Sequence, residues 1–158
     1  MTQETVILDA FDLALLSALQ DNGARTNQEL AELIHLSASQ CSRRRARLEQ
    51  DGIIRRYRAE LDAGRLGFGI TVFIFVSLAH HSRDNAGRFR DLVTTLPLVQ
   101  EAHALTGEAD YLLKVMVRDL AALAELVNDV LLPHKSVERV RSNIVLQTLK
   151  DERKLPIS

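Results

Sequence analysis

Two helix-start signatures lie eleven residues apart, and they constrain this chain more than anything else in it. Thr26-Asn27-Gln28-Glu29 and Ser37-Ala38-Ser39-Gln40 each put a hydroxyl residue three positions before Glu or Gln. At that spacing the hydroxyl accepts from the amide three residues on. The longer side chain reaches back to the first amide, so each quartet opens a helix. The helix between them has room for about two turns. Its apolar stripe is Leu30, Leu33 and Ile34, and His35-Leu36 is left as a very tight turn. Upstream, Asp9 caps a helix bearing Phe11, Leu15, Leu16 and Leu19, stopped at Asn22-Gly23, where glycine is free to take positive φ. Downstream, Cys41 and Leu48 lie on the inner face of a third helix that ends at Asp51-Gly52. Two short helices joined by a tight turn match a helix-turn-helix. A purely structural three-helix unit is the other reading.

Charge separates the two readings better than composition does. The net charge is −1 over 158 residues, which does not suggest a polycation. Yet residues 43–58 hold seven Arg and two acids, a local net of +5, while residues 1–61 as a whole come to −1. The average hides a dipolar domain. A solvated helix face would also carry such a cluster. On the third helix, Ser39, Gln40, Arg43, Arg44 and Arg47 are expected opposite Cys41 and Leu48, with Ser42 on the flank. Gln suits adenine edges, Arg suits guanine, and Ser contacts bases or phosphate. Arg43, Arg44 and Gln40 are therefore the candidates for base readout, and Arg47, Arg55 and Arg56 for phosphate. Residues 53–61 read as a short strand pair or wing that brings Arg55, Arg56 and Arg58 near the DNA backbone.

The second half has a different rhythm. Leu61 to Gly69 holds three Gly in nine residues and reads as a connection. Thr71 to Leu78 is a β-branched and aromatic strand. Ala86, Phe89, Leu92, Val93 and Leu96 form a helical stripe stopped by Pro97. Val99–Leu105 and Tyr111–Val117 are strands. Asp119 caps a helix with Leu123, Leu126, Val127 and Val130 inside, ended by Pro133, and Val137–Leu149 is a long fourth strand. The fold class is α+β, with a winged helix-turn-helix followed by a ferredoxin-like βαββαβ domain. The domains are 1–61, a linker at 62–69, and 70–158. Helices on one sheet face leave the other apolar and uncovered, which calls for a homodimer. Paired recognition helices gain from the same dimer.

Little here suggests catalysis. A single Cys rules out an intrachain disulfide framework and fits a reducing compartment. Cys41, on an apolar helix face, reads as an inert core thiol. His35, His80, His81, His103 and His134 show no familiar metal spacing, and adjacent His80 and His81 on a strand would point to opposite faces. No metal, cofactor or enzyme activity is expected. No apolar run reaches ~18 residues, and the first residues lack a signal-peptide pattern, so a cytoplasmic protein without a membrane span is expected. Thr106-Gly107-Glu108-Ala109-Asp110 is the one segment that hints at a ligand. Glu108 and Asp110 suit an ammonium group and freed amides suit a carboxylate, as an amino acid would need. An ordinary polar turn, with Asp110 bonding local amides, explains the same residues, and they favour it on their own.

Asp9 to Leu19, Leu36-Ser-Ala-Ser-Gln-Cys-Ser-Arg-Arg44, Arg47-Leu-Glu-Gln-Asp-Gly-Ile53, Tyr57 to Asp62 and Thr106-Gly-Glu-Ala-Asp-Tyr-Leu-Leu113 together resemble the leucine-responsive regulatory protein/AsnC (feast/famine) family of transcriptional regulators. The resemblance spans nearly all of 5–150. It implies a sequence-specific DNA-binding regulator whose assembly and DNA affinity respond to a small molecule, typically an amino acid. It further implies homodimers that assemble to tetramers or octamers, and an effector site at Thr106, Gly107, Glu108 and Asp110, with His103 and Ser142 adding contacts. An amino-acid-sensing or metabolic enzyme with an accessory helical domain is the alternative. Two departures stand out. Position 45 is usually aliphatic in the family and is Arg here, its stem expected to pack and its head to snorkel out. The Glu108-Ala109 pair lacks the family's common Tyr or Asp, which puts the effector's identity in question.

Overall fold

The computed structural model describes residues 7–79 and 83–157. They form two compact units, one of residues up to Glu60 together with the tail from Lys150, the other within Leu61–Leu149.

In the helical unit, α1 spans Ala10–Asp21, α2 Asn27–Ile34 and α3 Ala38–Gln50. All three start on reciprocal caps. Asp9, Thr26 and Ser37 accept from the amides of Asp12, Glu29 and Gln40, whose side chains reach back to the cap amides. The turn between α2 and α3 closes because His35 adopts a left-handed conformation (φ 57°), which few side chains other than Asn, Asp and His enter readily. Leu15, Leu30, Cys41 and Leu48 are fully buried, with Leu19 and Ile34 nearly so. Two residues of the expected stripes lie outside. Leu33 is 51% exposed, and Phe11 (44%) lies beneath the Arg44 guanidinium at 5.5 Å. α2 is too short to bury more than one edge, and Leu30 and Ile34 fill it. Gly23 does not use positive φ. A Cβ there would meet the Tyr57 ring at 3.2 Å, so the glycine serves close packing instead. Residues 53–61, expected as a strand pair or wing, contain no strand. Ile54 and Tyr57 anchor the segment through side chains (below). The tail, expected with the sheet, instead joins α1. Leu155 N–H donates to Gln20 Oε1 (2.7 Å), Gln20 Nε2 donates to the Leu155 carbonyl (3.1 Å), and Lys154 pairs with Asp21.

The sheet unit contains β1 (Ile70–Leu78), α4 (Arg83–Thr95), β2 (Val99–Ala104), β3 (Tyr111–Val117), α5 (Leu120–Glu125) and β4 (Val137–Ile144). The sheet is antiparallel in the order β2-β3-β1-β4, so the two βα halves interleave as the sequence pattern requires. Val72, Ile74, Val76 and Leu78 of β1 and Leu113, Val115 and Val117 of β3 alternate onto one face. Phe89 and Val93 of α4 and Leu123 of α5 cover that face, and Phe89 stacks 4.8 Å from Tyr111. The Asp119 cap holds as expected, but the helix it starts widens into a π-helical segment at Leu126–Leu131. The segment closes with Leu132 N–H on the Val127 carbonyl. β4 stops at Ile144 rather than Leu149. Its partner β1 begins at Ile70, and Val145 makes one last bond to Thr71. Before Ile70 the chain turns away through the Asp62–Gly67 turn, where Gly67 takes φ 84°. Leu146 and Leu149 are accordingly exposed.

Leu48→Ala should lower unfolding free energy by about 2–5 kcal/mol in urea titrations, since it opens a cavity in a sealed core. Leu33→Ala should change it by no more than ~0.5 kcal/mol. Equal losses would refute this division of α2 and α3.

Candidate nucleic-acid interface and effector turn

Cys41, Arg44, Arg45 and Leu48 are spaced i, i+3, i+4, i+7, one stripe of an α-helix. Arg44, expected to face DNA, thus shares the inner side of α3 with the core. It survives there because carboxylates meet it. Its Nη1 lies 2.7 Å from Asp9 Oδ2 and 2.8 Å from Asp12 Oδ1. Asp12 is 1% exposed. Its Oδ2 also accepts from the Asp9 amide (3.1 Å) and from Arg47 Nη2. An unpaired buried carboxylate would be strongly unfavourable, and two guanidiniums on one carboxylate answer that penalty. The Asp12 amide, then Arg44, hold the Asp9 carboxyl below its ordinary value, and Asp9 and Asp12 push Arg44 higher still.

Arg45 is the second inward arginine. Its guanidinium lies 4.6 Å over the Tyr57 ring. Nε is shared between Tyr57 Oη (2.8 Å) and Glu49 Oε1 (3.2 Å), and Nη1 reaches the Arg25 carbonyl (3.1 Å). Tyr57 in turn donates to Glu49 Oε1 (2.8 Å). Burial and then Glu49 push its phenol above the usual range. This cluster fastens the 53–58 segment to α3. Ile54 adds a half-buried side chain on the core, and its N–H donates a hydrogen bond to the Leu48 carbonyl (3.0 Å). Arg55, Arg56 and Arg58 stand exposed around these anchors.

What remains outward on α3 is Ser39, Gln40, Ser42, Arg43 and Arg47, all exposed. Gln40 Oε1 is committed to the cap, taking the Ser37 amide and hydroxyl at 2.9 Å each. The Ser39 hydroxyl lies 3.0 Å from that of Ser37. Among the described residues, Arg43 makes no ion pair or side-chain hydrogen bond. The outward face is therefore one unpaired arginine, one half-pinned arginine and small hydroxyls.

In the sheet unit, the 106–110 turn sits where β2 runs into β3. Gly107 takes φ 133°, and Thr106, Gly107 and Glu108 are exposed. Asp110 does structural work there. Its Oδ2 accepts from Leu78 N–H (2.7 Å), its amide donates to the Val76 carbonyl (3.0 Å), and its carbonyl takes Leu105 N–H (2.8 Å). Beside it lies an open pocket of about 330 Å³ between Leu78, Arg83, Ala86, Leu105, Asp110 and Tyr111. Nothing in the sequence marks Arg83 for this pocket. It opens α4, far from the turn in sequence, and only the topology brings it in. His103 and Ser142 do not converge on the pocket within one chain. His103 pairs with Glu101 (3.3 Å) on edge strand β2, and Ser142 lies opposite Ile74 on edge strand β4. The two edges are three strand spacings apart, roughly 14 Å. On the open sheet face, half-buried Phe73, Phe75, Leu112 and Met116 are ringed by Lys114 on Glu101 (3.2 Å) and by Arg141, 4.8 Å over the Phe75 ring. Lys114, then His103, hold the Glu101 carboxyl below its ordinary value. No group of His, Cys, Asp and Glu among the described residues is arranged to hold a metal ion. His80 and His81 lie outside the described residues. No helix among the described residues is long and apolar enough to cross a membrane.

Residues 8–55 match a family described as winged helix-turn-helix DNA-binding, and residues 71–155 one described as the Lrp/AsnC ligand binding domain. The chain is 40% identical over 146 residues to the leucine-responsive regulatory protein of Rhizobium meliloti (strain 1021), covering 92% of this chain and 94% of that one. Among solved structures it is similar to a transcriptional regulator of Neisseria meningitidis in complex with L-Met. The TM-score is 0.92 at 40% identity, covering 95% of this chain and 97% of that one. Escherichia coli AsnC superimposes with a TM-score of 0.86 at 27% identity, covering 95% and 99%.

Arg44→Ala should destabilise the helical unit by about 1–3 kcal/mol, because it half-uncovers a buried carboxylate. Arg43→Ala should stay within ~0.5 kcal/mol. Because folding depresses the Asp9 pKa, its contribution is full above the unfolded value and is lost as pH falls below about 4. Acid titration of unfolding should show a shallower loss in Arg44→Ala than in the wild type. A loss at Arg43 equal to that at Arg44 would contradict the assignment.

Proposed function

The chain belongs to the Lrp/AsnC family of DNA-binding transcriptional regulators, and from that premise we propose which of its residues meet DNA and effector. The observation that carries the reading is the division of the α3 arginines. Arg44 and Arg45 face the protein, and Arg43 projects with nothing among the described residues to neutralise it. Arg43 reads bases, assisted by Ser39, Ser42 and the amide end of Gln40. Arg47, Arg55 and Arg56 contact phosphate. Arg44, first expected among the base readers, anchors the helix.

The open sheet face supports a homodimer. Phe73, Phe75, Leu112 and Met116 are apolar and only half-buried in the single chain, and a two-fold copy would cover them. Such a dimer presents two recognition helices to half-sites about one DNA turn apart. Assembly to tetramers or octamers follows the family pattern, in a cytoplasmic protein. The effector is an amino acid held beside the 106–110 turn. Arg83 supplies the cation for its carboxylate, and Thr106 and the acids of the turn face its ammonium group. The L-Met complex of the Neisseria meningitidis regulator supports the ligand class. His103 and Ser142 contribute only if assembly brings another chain's copy to the pocket. The effector acts by binding one assembly state more tightly than another.

Arg43→Ala should weaken specific DNA binding by about 1–3 kcal/mol in a titration at fixed salt. Unchanged affinity would refute base readout by Arg43. Arg83→Ala should leave DNA binding intact without effector and remove its dependence on an amino-acid panel. A normal response would place the effector elsewhere.

A further inference from the structure

We propose that Asp12 is a positioning residue for DNA binding: its buried carboxylate aims the Arg47 guanidinium, so that the protein holds one side of the fork and the other meets a phosphate. The proposal rests on Arg47 as a phosphate contact and adds what orients it.

The two ends of this pair lie in different surroundings. The Asp12 side chain is 1% exposed and that of Arg47 46%. Among the described residues, Nη2 is the one Arg47 nitrogen with a partner, so the other donors of a rigid, planar group on this half-exposed side chain are open to a ligand. The carboxylate cannot follow Arg47 if it swings away. Asp12 Oδ1 is held by Arg44, and Oδ2 also takes the Asp9 amide. Asp9 in turn caps α1 through the Asp12 amide at 2.8 Å. The anchor is thus fixed to the start of α1. Arg47 follows Arg43 by four residues, so it lies about 40° around the helix from the base-reading arginine. A long side chain restrained before binding has less freedom to lose when it binds.

Coulomb's law alone gives the opposite expectation. Asp12 is a negative charge near a polyanion, so removing it should tighten DNA binding. A positioning role requires it to weaken binding.

The test uses the full chain and the tightest duplex it selects from a random library. Folding of each variant is checked first by thermal melting. Asp12→Asn should weaken binding about tenfold and lower the log–log salt slope by about one, the signature of one lost phosphate contact. Arg47→Ala should do the same. In the Arg47→Ala background, Asp12→Asn should add less than about twofold. A general loss of helix packing would persist in that background. Arg47→Lys keeps the charge without the fork, and its affinity should fall nearly as far as that of Arg47→Ala. It decides the matter should Asp12→Asn fail to fold. The positioning role is overturned if Asp12→Asn tightens or preserves binding, if its cost is unchanged in the Arg47→Ala background, or if Arg47→Lys binds like the wild type. If Arg47→Ala itself leaves affinity and slope unchanged, the phosphate assignment fails first and the positioning role falls with it.

Discussion

A carboxylate sealed between two helices sets the geometry of the DNA-binding half. Asp12 lies at the start of α1 with 1% exposure, where a lone negative charge could not persist. Two arginines of α3 answer it, Arg44 from the inner stripe and Arg47 from the flank. The angle between α1 and α3 is therefore fixed by directional, charge-assisted contacts as well as by the Leu15, Leu30 and Leu48 core. A purely apolar contact would tolerate some rotation of α3. A buried carboxylate with both oxygens occupied does not, and rotation of α3 is what would scramble its outward face.

The same constraint sorts the basic cluster into roles. Seven arginines within sixteen residues look interchangeable by charge. In the structure, Arg44 and Arg45 spend their donors on the protein, Arg47 spends part of its own, and Arg43, Arg55, Arg56 and Arg58 stand exposed. The domain reaches a basic surface at a net charge of −1 because acids such as Asp9, Asp12 and Glu49 lie against the arginines that face inward. The overall field of a domain arranged this way contributes little non-specific affinity for a polyanion.

The helices were legible in the sequence because their starts are encoded locally. Two capping boxes and the Asp9 N-cap recover the starts of α1, α2 and α3 almost to the residue; that Asp12 returns the Asp9 cap is visible only in the structure. The alternating runs Thr71–Leu78 and Tyr111–Val117 recover the central strands for the same reason. What failed to show depends on partners distant in sequence. The charge of Arg44 points outward, its spacing from Cys41 and Leu48 points inward, and the acid that makes the inward position tolerable lies 32 residues away. β4 ends early because β1 runs out, which no residue of 145–149 reveals. The expected wing at 53–61 forms no strand and is instead held by Ile54 and Tyr57. Arg83 reaches the pocket beside the 106–110 turn only through the order of the strands. Arg45, the departure from the family pattern, became intelligible only once Tyr57 and Glu49 lay beside it.

In the proposed function α3 carries two classes of arginine, one turned to the protein and one to DNA. A crystal structure of the full chain bound to a selected operator duplex tests it most directly. The account requires the Arg43 guanidinium at a base edge in the major groove, with Arg44 still on Asp9 and Asp12. Arg44 withdrawn from those carboxylates and hydrogen-bonded to a base, with Arg43 in solvent, would contradict it.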